Sequence, residues 1–157
     1  GDGRPTCSLS SVLRVSLPGG PDALLRLHRE LRRDDGDCLL ARFWTAKGAW
    51  ELAASPWEPI PQGPTTQAEG LVRRFHFRLP VKPQPLAPKD TRMTVVYHLN
   101  LREAQGRSEP VVLTSFSMSF DVPYSSSFMV ETQHILVESE GKGETEMDNL
   151  FAVKWIG

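Results

Sequence analysis

The sequence predicts an α+β domain: one curved antiparallel sheet of seven strands, with two short amphipathic helices inserted after the first strand. Two observations carry that expectation. Residues 71–79, 92–101 and 111–120 alternate apolar and polar side chains with period two, the mark of strands that have one covered face. Between residues 22 and 47, apolar residues instead recur at three- and four-residue spacing, the mark of a helical face.

Taken in order, residues 1–8 are expected to be a flexible lead into a single domain over residues 9–157. Residues 9–17 read as a first strand, with Val12, Arg14 and Ser16 alternating against Leu13, Val15 and Leu17, and Pro18-Gly-Gly-Pro21 stops it. Asp22 falls in the first turn of a helix whose Leu24, Leu27, His28 and Leu31 share a face. A second helix, from about Asp37 to Lys47, repeats the pattern with Leu39, Leu40, Phe43 and Trp44, and Gly48 suits its C-terminal cap. Trp50 to Trp57 is the second strand, and a proline-rich turn follows it to about Gly70.

The three central strands come next. Phe75, Phe77 and Leu79 alternate with Arg74, His76 and Arg78; Met93, Val95, Tyr97, Leu99 and Leu101 alternate with Thr94, His98 and Asn100; Phe116, Met118 and Phe120 alternate with Ser115, Ser117 and Ser119. The apolar sets are expected to share one face. Residues 81–90 join the first two strands by a longer, proline-stiffened path than a hairpin needs, and such loops are commonly functional. Pro123 breaks the third strand, with Asp121 placed to close an Asx turn; residues 128–138 and 147–156 are the last strands, around a turn at 141–145.

Two short helices cannot cover seven strands. A long closing helix is expected after the last strand, yet the sequence stops at Gly157, so either that helix follows in a parent protein or something else closes the domain. The uncovered surface, lined by Phe75, Phe77, Leu79, Tyr97, Leu99, Phe116, Met118 and Phe120, is expected to form a cavity for a flat apolar ligand with one polar end.

Composition narrows the function classes. A chain of 157 residues is long enough to bury a core as one module, and a net charge of −1 argues against a nucleic-acid partner. Arg26, Arg29, Arg32 and Arg33 are offset at once by Asp34, Asp35 and Asp37, which reads as a solvated helix face. Cys7 and Cys38 have no framework spacing, so reduced, cytosol-facing thiols are expected, and no apolar run approaches the roughly 20 residues that span a bilayer. The opening Gly-Asp-Gly without Met suggests an excised fragment, monomeric by itself, with any membrane anchor outside it.

No catalytic constellation stands out. His76 and His98 are expected as neighbours on the wet face but lack a third metal ligand, and Gly141-Lys-Gly-Glu-Thr145 lacks the spacing of a phosphate loop. Ser125-Ser-Ser127 has no nucleophile context, and the acidic residues from Glu138 to Glu146 have no calcium-loop spacing. Neither an enzyme nor a cofactor or metal is expected.

Trp50-Glu-Leu-Ala-Ala-Ser-Pro-Trp57, Arg74-Phe-His-Phe-Arg-Leu-Pro80, Pro88-Lys-Asp-Thr91 and above all Ser119-Phe-Asp-Val-Pro-Tyr-Ser-Ser-Ser-Phe128 resemble the VASt domain. This is the START-like module of the Aster and Lam sterol-transfer proteins and of plant proteins that also carry a GRAM domain; the likeness runs from about residue 10 to residue 156. It implies a helix-grip fold that encloses one sterol, or a similar apolar lipid, and moves it between membranes. In the better-known members these are the plasma membrane and the endoplasmic reticulum, which implies a cytosol-facing place at their contacts, reached through other parts of the parent protein. A loop between the third and fourth strands guards the pocket in those members, and here Lys82, Leu86, Pro88 and Lys89 occupy that slot. The lysines are expected to meet acidic headgroups while Leu86 enters the bilayer. This loop is longer and richer in proline than the family's, and the family's final helix is missing. Tyr97, Thr114 and Thr132 are the candidates to meet a sterol hydroxyl. The alternative is an interaction module of the same fold, with a filled pocket or one that takes another lipid.

Overall fold

The computed structural model describes residues 10–18, 23–64, 69–101, 110–138 and 144–156. Its elements are β1 (Ser10–Pro18), α1 (Ala23–Leu31), α2 (Leu39–Ala46), β2 (Trp50–Ala54), β3 (Glu58–Pro59), β4 (Leu71–Pro80), β5 (Asp90–Leu99), β6 (Val111–Ser119), β7 (Phe128–Glu138) and β8 (Glu144–Trp155). Strands β4 to β8 run as an antiparallel meander. β1 closes one side against β8 and β2 the other against β4, giving the order β1-β8-β7-β6-β5-β4-β2. This is the expected α+β architecture, a curved seven-stranded sheet with two helices after the first strand.

The expected second strand is split. Pro56 has no amide to donate, so β2 ends at Ala54 and the chain rejoins the ladder only at the two-residue β3, against Leu71 and Val72. The first eight residues, Cys7, the stop after Pro18, Asp22 and residues 139–143 of the last hairpin lie outside the described residues.

Register decides which side chains share a face, because paired residues of antiparallel strands project to the same side. Phe75 pairs with Val95, Phe77 with Met93, Tyr97 with Ser115 and Leu99 with Leu113; Ser115 pairs in turn with Thr132, and Thr132 with Phe151. Both helices fold onto this inner face. α1 buries Leu24, His28 and Leu31, and α2 buries Leu40 and Ala41 beside Cys38. They pack on Phe75, Phe77, Val95, Tyr97, Leu99, Val111, Leu113 and Leu136.

Polar pins hold the helices in place. The guanidinium of Arg73, only 2% exposed, donates to the carbonyls of Ser55 at 2.7 Å and of Arg33 and Asp34 at 3.0 Å, and reaches Cys38 Sγ at 3.2 Å. The Phe75 ring lies 4.7 Å away. Carbonyls just past the C-terminal end of α1, where the helix dipole is negative, thus satisfy a buried cation. Trp57 Nε1 donates to Leu31 O at 2.9 Å, and His28 Nε2 meets Asn100 O at 2.9 Å. At the other end of the helix pair, Gly48 ends α2 at φ 93°, and a Cβ there would stand 3.3 Å from Pro80 Cγ, so the end of α2 rests on the end of β4.

Candidate functional site

The face under the helices is filled. Trp44 of α2 lies 4.6 Å from the Phe77 ring and donates its Nε1 proton to Tyr97 Oη at 2.7 Å, while Phe75 meets Tyr97 edge-on at 5.6 Å. Phe75, Phe77, Tyr97 and Leu99 are therefore core, fully desolvated by the helices. Burial pushes the Tyr97 hydroxyl up to about 12, and the Trp44 bond pulls the other way. Leu79 is half-buried at the edge of this cluster.

The expected lining does not converge. Phe116 pairs with Val96 and Glu131, which places it, Met118 and Phe120 on the outer face, away from Phe75 and Tyr97. There Phe116 meets the His98 ring at 5.4 Å and Lys154 at 5.6 Å, and Phe120 lies 5.8 Å from the Arg92 guanidinium. The physical reason is a change of phase along one strand. β6 buries Val111, Leu113 and Ser115, and with no register shift against its neighbours the even-numbered aromatics must point outward. His76 and His98 do share the outer face, but His76 pairs with Thr94 and His98 with Val72, so they are not opposite each other.

Among the described residues, what the helices leave open is the other half of the inner face. Register brings a row of hydroxyls on β6 (Ser115, Ser117, Ser119) beside Val130 and Thr132 of β7 and Phe151, Val153 and Trp155 of β8. Phe151 is 42% exposed and Trp155 66%, and the latter's ring stands 6.0 Å from Phe128. The result is a trough with one hydroxyl-lined wall and one apolar wall. Sequence alternation contained the serines but assigned them to solvent. Among the three hydroxyl candidates, Thr132 lies in the trough and Tyr97 Oη, beside it, still has its own proton to donate. Thr114 lies on the outer face, where Gln133 Nε2 donates to it at 3.5 Å.

The end of β6 and the start of β7 lie at the end of the sheet where β4 meets β5. The loop there is zipped at its base by Val81 N–H to Lys89 O at 3.0 Å, and it turns through Ala87 N–H to Gln84 O at 3.2 Å. That turn forces Leu86 to φ 67° and leaves it 100% exposed. Lys82 and Lys89 are exposed beside it and Pro88 is half-buried. The turn after β6 stands at the same end. Instead of serving its own turn, the Asp121 carboxylate reaches across to β5, accepting from Arg92 N at 2.7 Å and Arg92 Nη2 at 2.8 Å, while Asp121 N donates to Thr91 Oγ1 at 3.1 Å. The bonds from the Arg92 side chain and main chain hold the Asp121 carboxyl down at about 2.

On the outer face, Glu51, Ala53, His76, Arg78, Arg92, Thr94 and Phe120 border an open groove of about 380 Å³. Its arginines are already paired, Arg78 with Asp90 and Glu51 and Arg92 with Asp121. Among the described residues no cluster of three His, Cys, Asp or Glu side chains is placed to hold a metal ion, and no helix is long and apolar enough to cross a membrane.

Compared with known families, residues 14–157 match the family described as VASt, VAD1 Analog of StAR-related lipid transfer domain. No curated protein matches the chain individually.

Proposed function

This chain belongs to the VASt family of START-like lipid-binding domains, and from that premise we propose that it takes a sterol, or a similar apolar lipid, into the trough over β6, β7 and β8 and carries it between membranes. The observation that supports this most is the open half of the inner face. Exposing Phe151 and Trp155, with Val153 half-buried between them, beside a row of serines is costly in water and suits a ligand with an apolar body and a hydroxyl. A skeleton of about 27 carbons at about 0.3 kcal/mol per heavy atom gives roughly 8 kcal/mol, or micromolar binding, tight enough to extract and loose enough to deliver. Ser115, Ser117, Thr132 and Tyr97 offer the hydroxyl its partners.

The loop over residues 81–89 is the lipid's way in. Lys82 and Lys89 would each add about 1 kcal/mol at an anionic surface, and Leu86 supplies an apolar tip. We propose, as an expectation carried from the better-known members, that the domain works on the cytosolic side at contacts between the endoplasmic reticulum and the plasma membrane.

Titration with dehydroergosterol tests the reading. Saturable binding near micromolar is expected, abolished in Ser117→Trp, which fills the trough, and retained in Phe116→Ser, whose ring faces away. Equal binding by all three proteins would move the ligand elsewhere. The mesh of Trp44, Phe75, Phe77 and Tyr97 favours one second reading, a non-transferring interaction module. A flat titration across sterols and phospholipids would select it.

A further inference from the structure

The inner face changes character one step beyond Thr132. On β7, Leu136 is buried in the core under the helices and Thr132 lies in the trough, and His134 stands between them. On β8 the same step runs from Met147, packed against that core, through Asn149 to Phe151, which is 42% exposed. His134 and Asn149 are direct partners across the two strands, and the other neighbour of His134 is the buried Leu113 of β6. A half-buried polar pair therefore sits where the helix-covered core ends and the trough begins. It is remote from the loop over residues 81–89. Phe128, the first residue of β7, lies at the loop's end of the sheet, and at about 3.4 Å per residue His134 is about 20 Å along the strand from it, comparable to an extended sterol.

What sets this pair apart is a fixed hydrogen-bonding sense. His134 Nδ1 is bonded to Asn149 Oδ1. An amide oxygen only accepts, so Nδ1 carries the proton of the neutral ring and Nε2 presents a lone pair. Among the described residues Nε2 has no hydrogen-bond partner. The other polar groups of the trough carry no such sense. Ser115, Ser117, Ser119 and Thr132 are hydroxyls whose protons rotate, so each donates or accepts as its neighbour requires. Tyr97 Oη already accepts from Trp44 and is left to donate, which suits a ketone as well as a hydroxyl.

We infer that His134 Nε2, positioned by Asn149, is the acceptor that recognises the polar end of the ligand, and that it selects a lipid whose end group donates a hydrogen bond. A free 3-hydroxysteroid meets that condition; a 3-ketosteroid or an ester does not. The hydroxyl donates to Nε2, and Thr132, two residues along on the same face, returns a proton to the same oxygen. A ketone in that place would set lone pair against lone pair, leaving two acceptors unpaired away from water. The inference rests on the lipid-carrier reading and names the chemical class that the trough admits.

A matched series of steroids tests it. Displacement of dehydroergosterol by 5α-cholestan-3β-ol, by 5α-cholestan-3-one and by 5α-cholestane, which has no polar group, is measured at about pH 8, where a free imidazole is neutral. The proteins are the wild type, His134→Phe and Asn149→Leu, each with its Tm. The wild type should prefer the alcohol to the ketone by about tenfold or more, the scale of leaving a buried acceptor unpaired. His134→Phe should lose most of that preference while its binding of 5α-cholestane stays as in the wild type, a pattern that a merely structural role would not produce. Asn149→Leu frees the ring to carry its proton on either nitrogen, so its preference should fall between the two. A wild type that binds dehydroergosterol but takes alcohol and ketone equally refutes the selection and leaves the carrier reading standing, and so does a His134→Phe protein that keeps the full preference. A wild type that binds none of the steroids overturns both. The wild-type preference is read without any variant, so poor folding of His134→Phe does not shield the inference.

Discussion

Replacing Arg73 with methionine should unfold the helix corner before it touches the trough, and the geometry gives the scale. The guanidinium makes three hydrogen bonds of 2.7 to 3.0 Å to main-chain carbonyls. Hydrogen bonds to a charged group contribute about 1.5–3 kcal/mol each, but they are not additive, and methionine restores much of the lost packing. What remains is the cost of carbonyls facing a side chain that cannot donate, about 3–5 kcal/mol by analogy with a broken buried pair. That is a large part of the roughly 5–15 kcal/mol that holds a domain together. With a urea dependence of about 2 kcal/mol per molar, the midpoint should fall by about 2 M. Equilibrium unfolding followed by tryptophan fluorescence and far-ultraviolet circular dichroism measures this. Arg73→Lys, which keeps the charge but not the fork, should fall between. An Arg73→Met variant within about 1 kcal/mol of the wild type would refute the clamp, and with it the idea that these carbonyls were oriented for a cation.

Other outcomes follow from the same geometry. Trp44→Phe removes the donor to Tyr97 Oη and should cost about 1 kcal/mol in unfolding, with the phenol titrating still higher in an ultraviolet pH titration; an unchanged phenol would deny the bond. Asp121 is held at about 2 against an ordinary 3.8, chiefly by its bonds from Arg92, so its contribution is complete above about pH 4 and lost as pH falls towards 2. Asp121→Asn should start less stable at neutral pH and lose less than the wild type over that window; parallel Tm curves would contradict the clamp. Thr114→Val should leave sterol binding unchanged while Thr132→Val weakens it, a contrast read by dehydroergosterol titration, and the reverse result would invert the assignment of faces.

The sequence was most legible where one periodicity ran through a whole element. In β4 and β5 the large apolar residues keep one phase, which puts Phe75, Phe77, Val95 and Tyr97 on the covered face, and the structure has them there. α1 is equally plain, since Leu24, His28 and Leu31 keep a single face, but in α2 the expected face of Leu39, Leu40, Phe43 and Trp44 is corrected: Leu39 and Phe43 are exposed, and Leu40 and Ala41 are buried. β6 was harder because its two halves follow opposite phases. Val111 and Leu113 mark the odd residues as buried, and Phe116, Met118 and Phe120 mark the even ones, so side-chain size outweighed strand continuity. A strand without a bulge cannot satisfy both, and that conflict was the available signal. Arg73 was hidden differently. It sits in phase with Phe75 and Phe77, yet its charge hid a residue whose partners are carbonyls 18 to 40 positions away.

Strand β6 also limits what insertion and deletion can do to this domain. It shows hydroxyls to one side and aromatic rings to the other, and it is tied to a neighbour along both edges. Losing a single residue inside β6 ahead of Ser115 would turn the rest of the strand over, driving Phe116 and Met118 into the hollow and leaving serines on the exterior. The capacity of the hollow, and the kind of guest it admits, therefore depend on the residue count within β6 as much as on any one side chain.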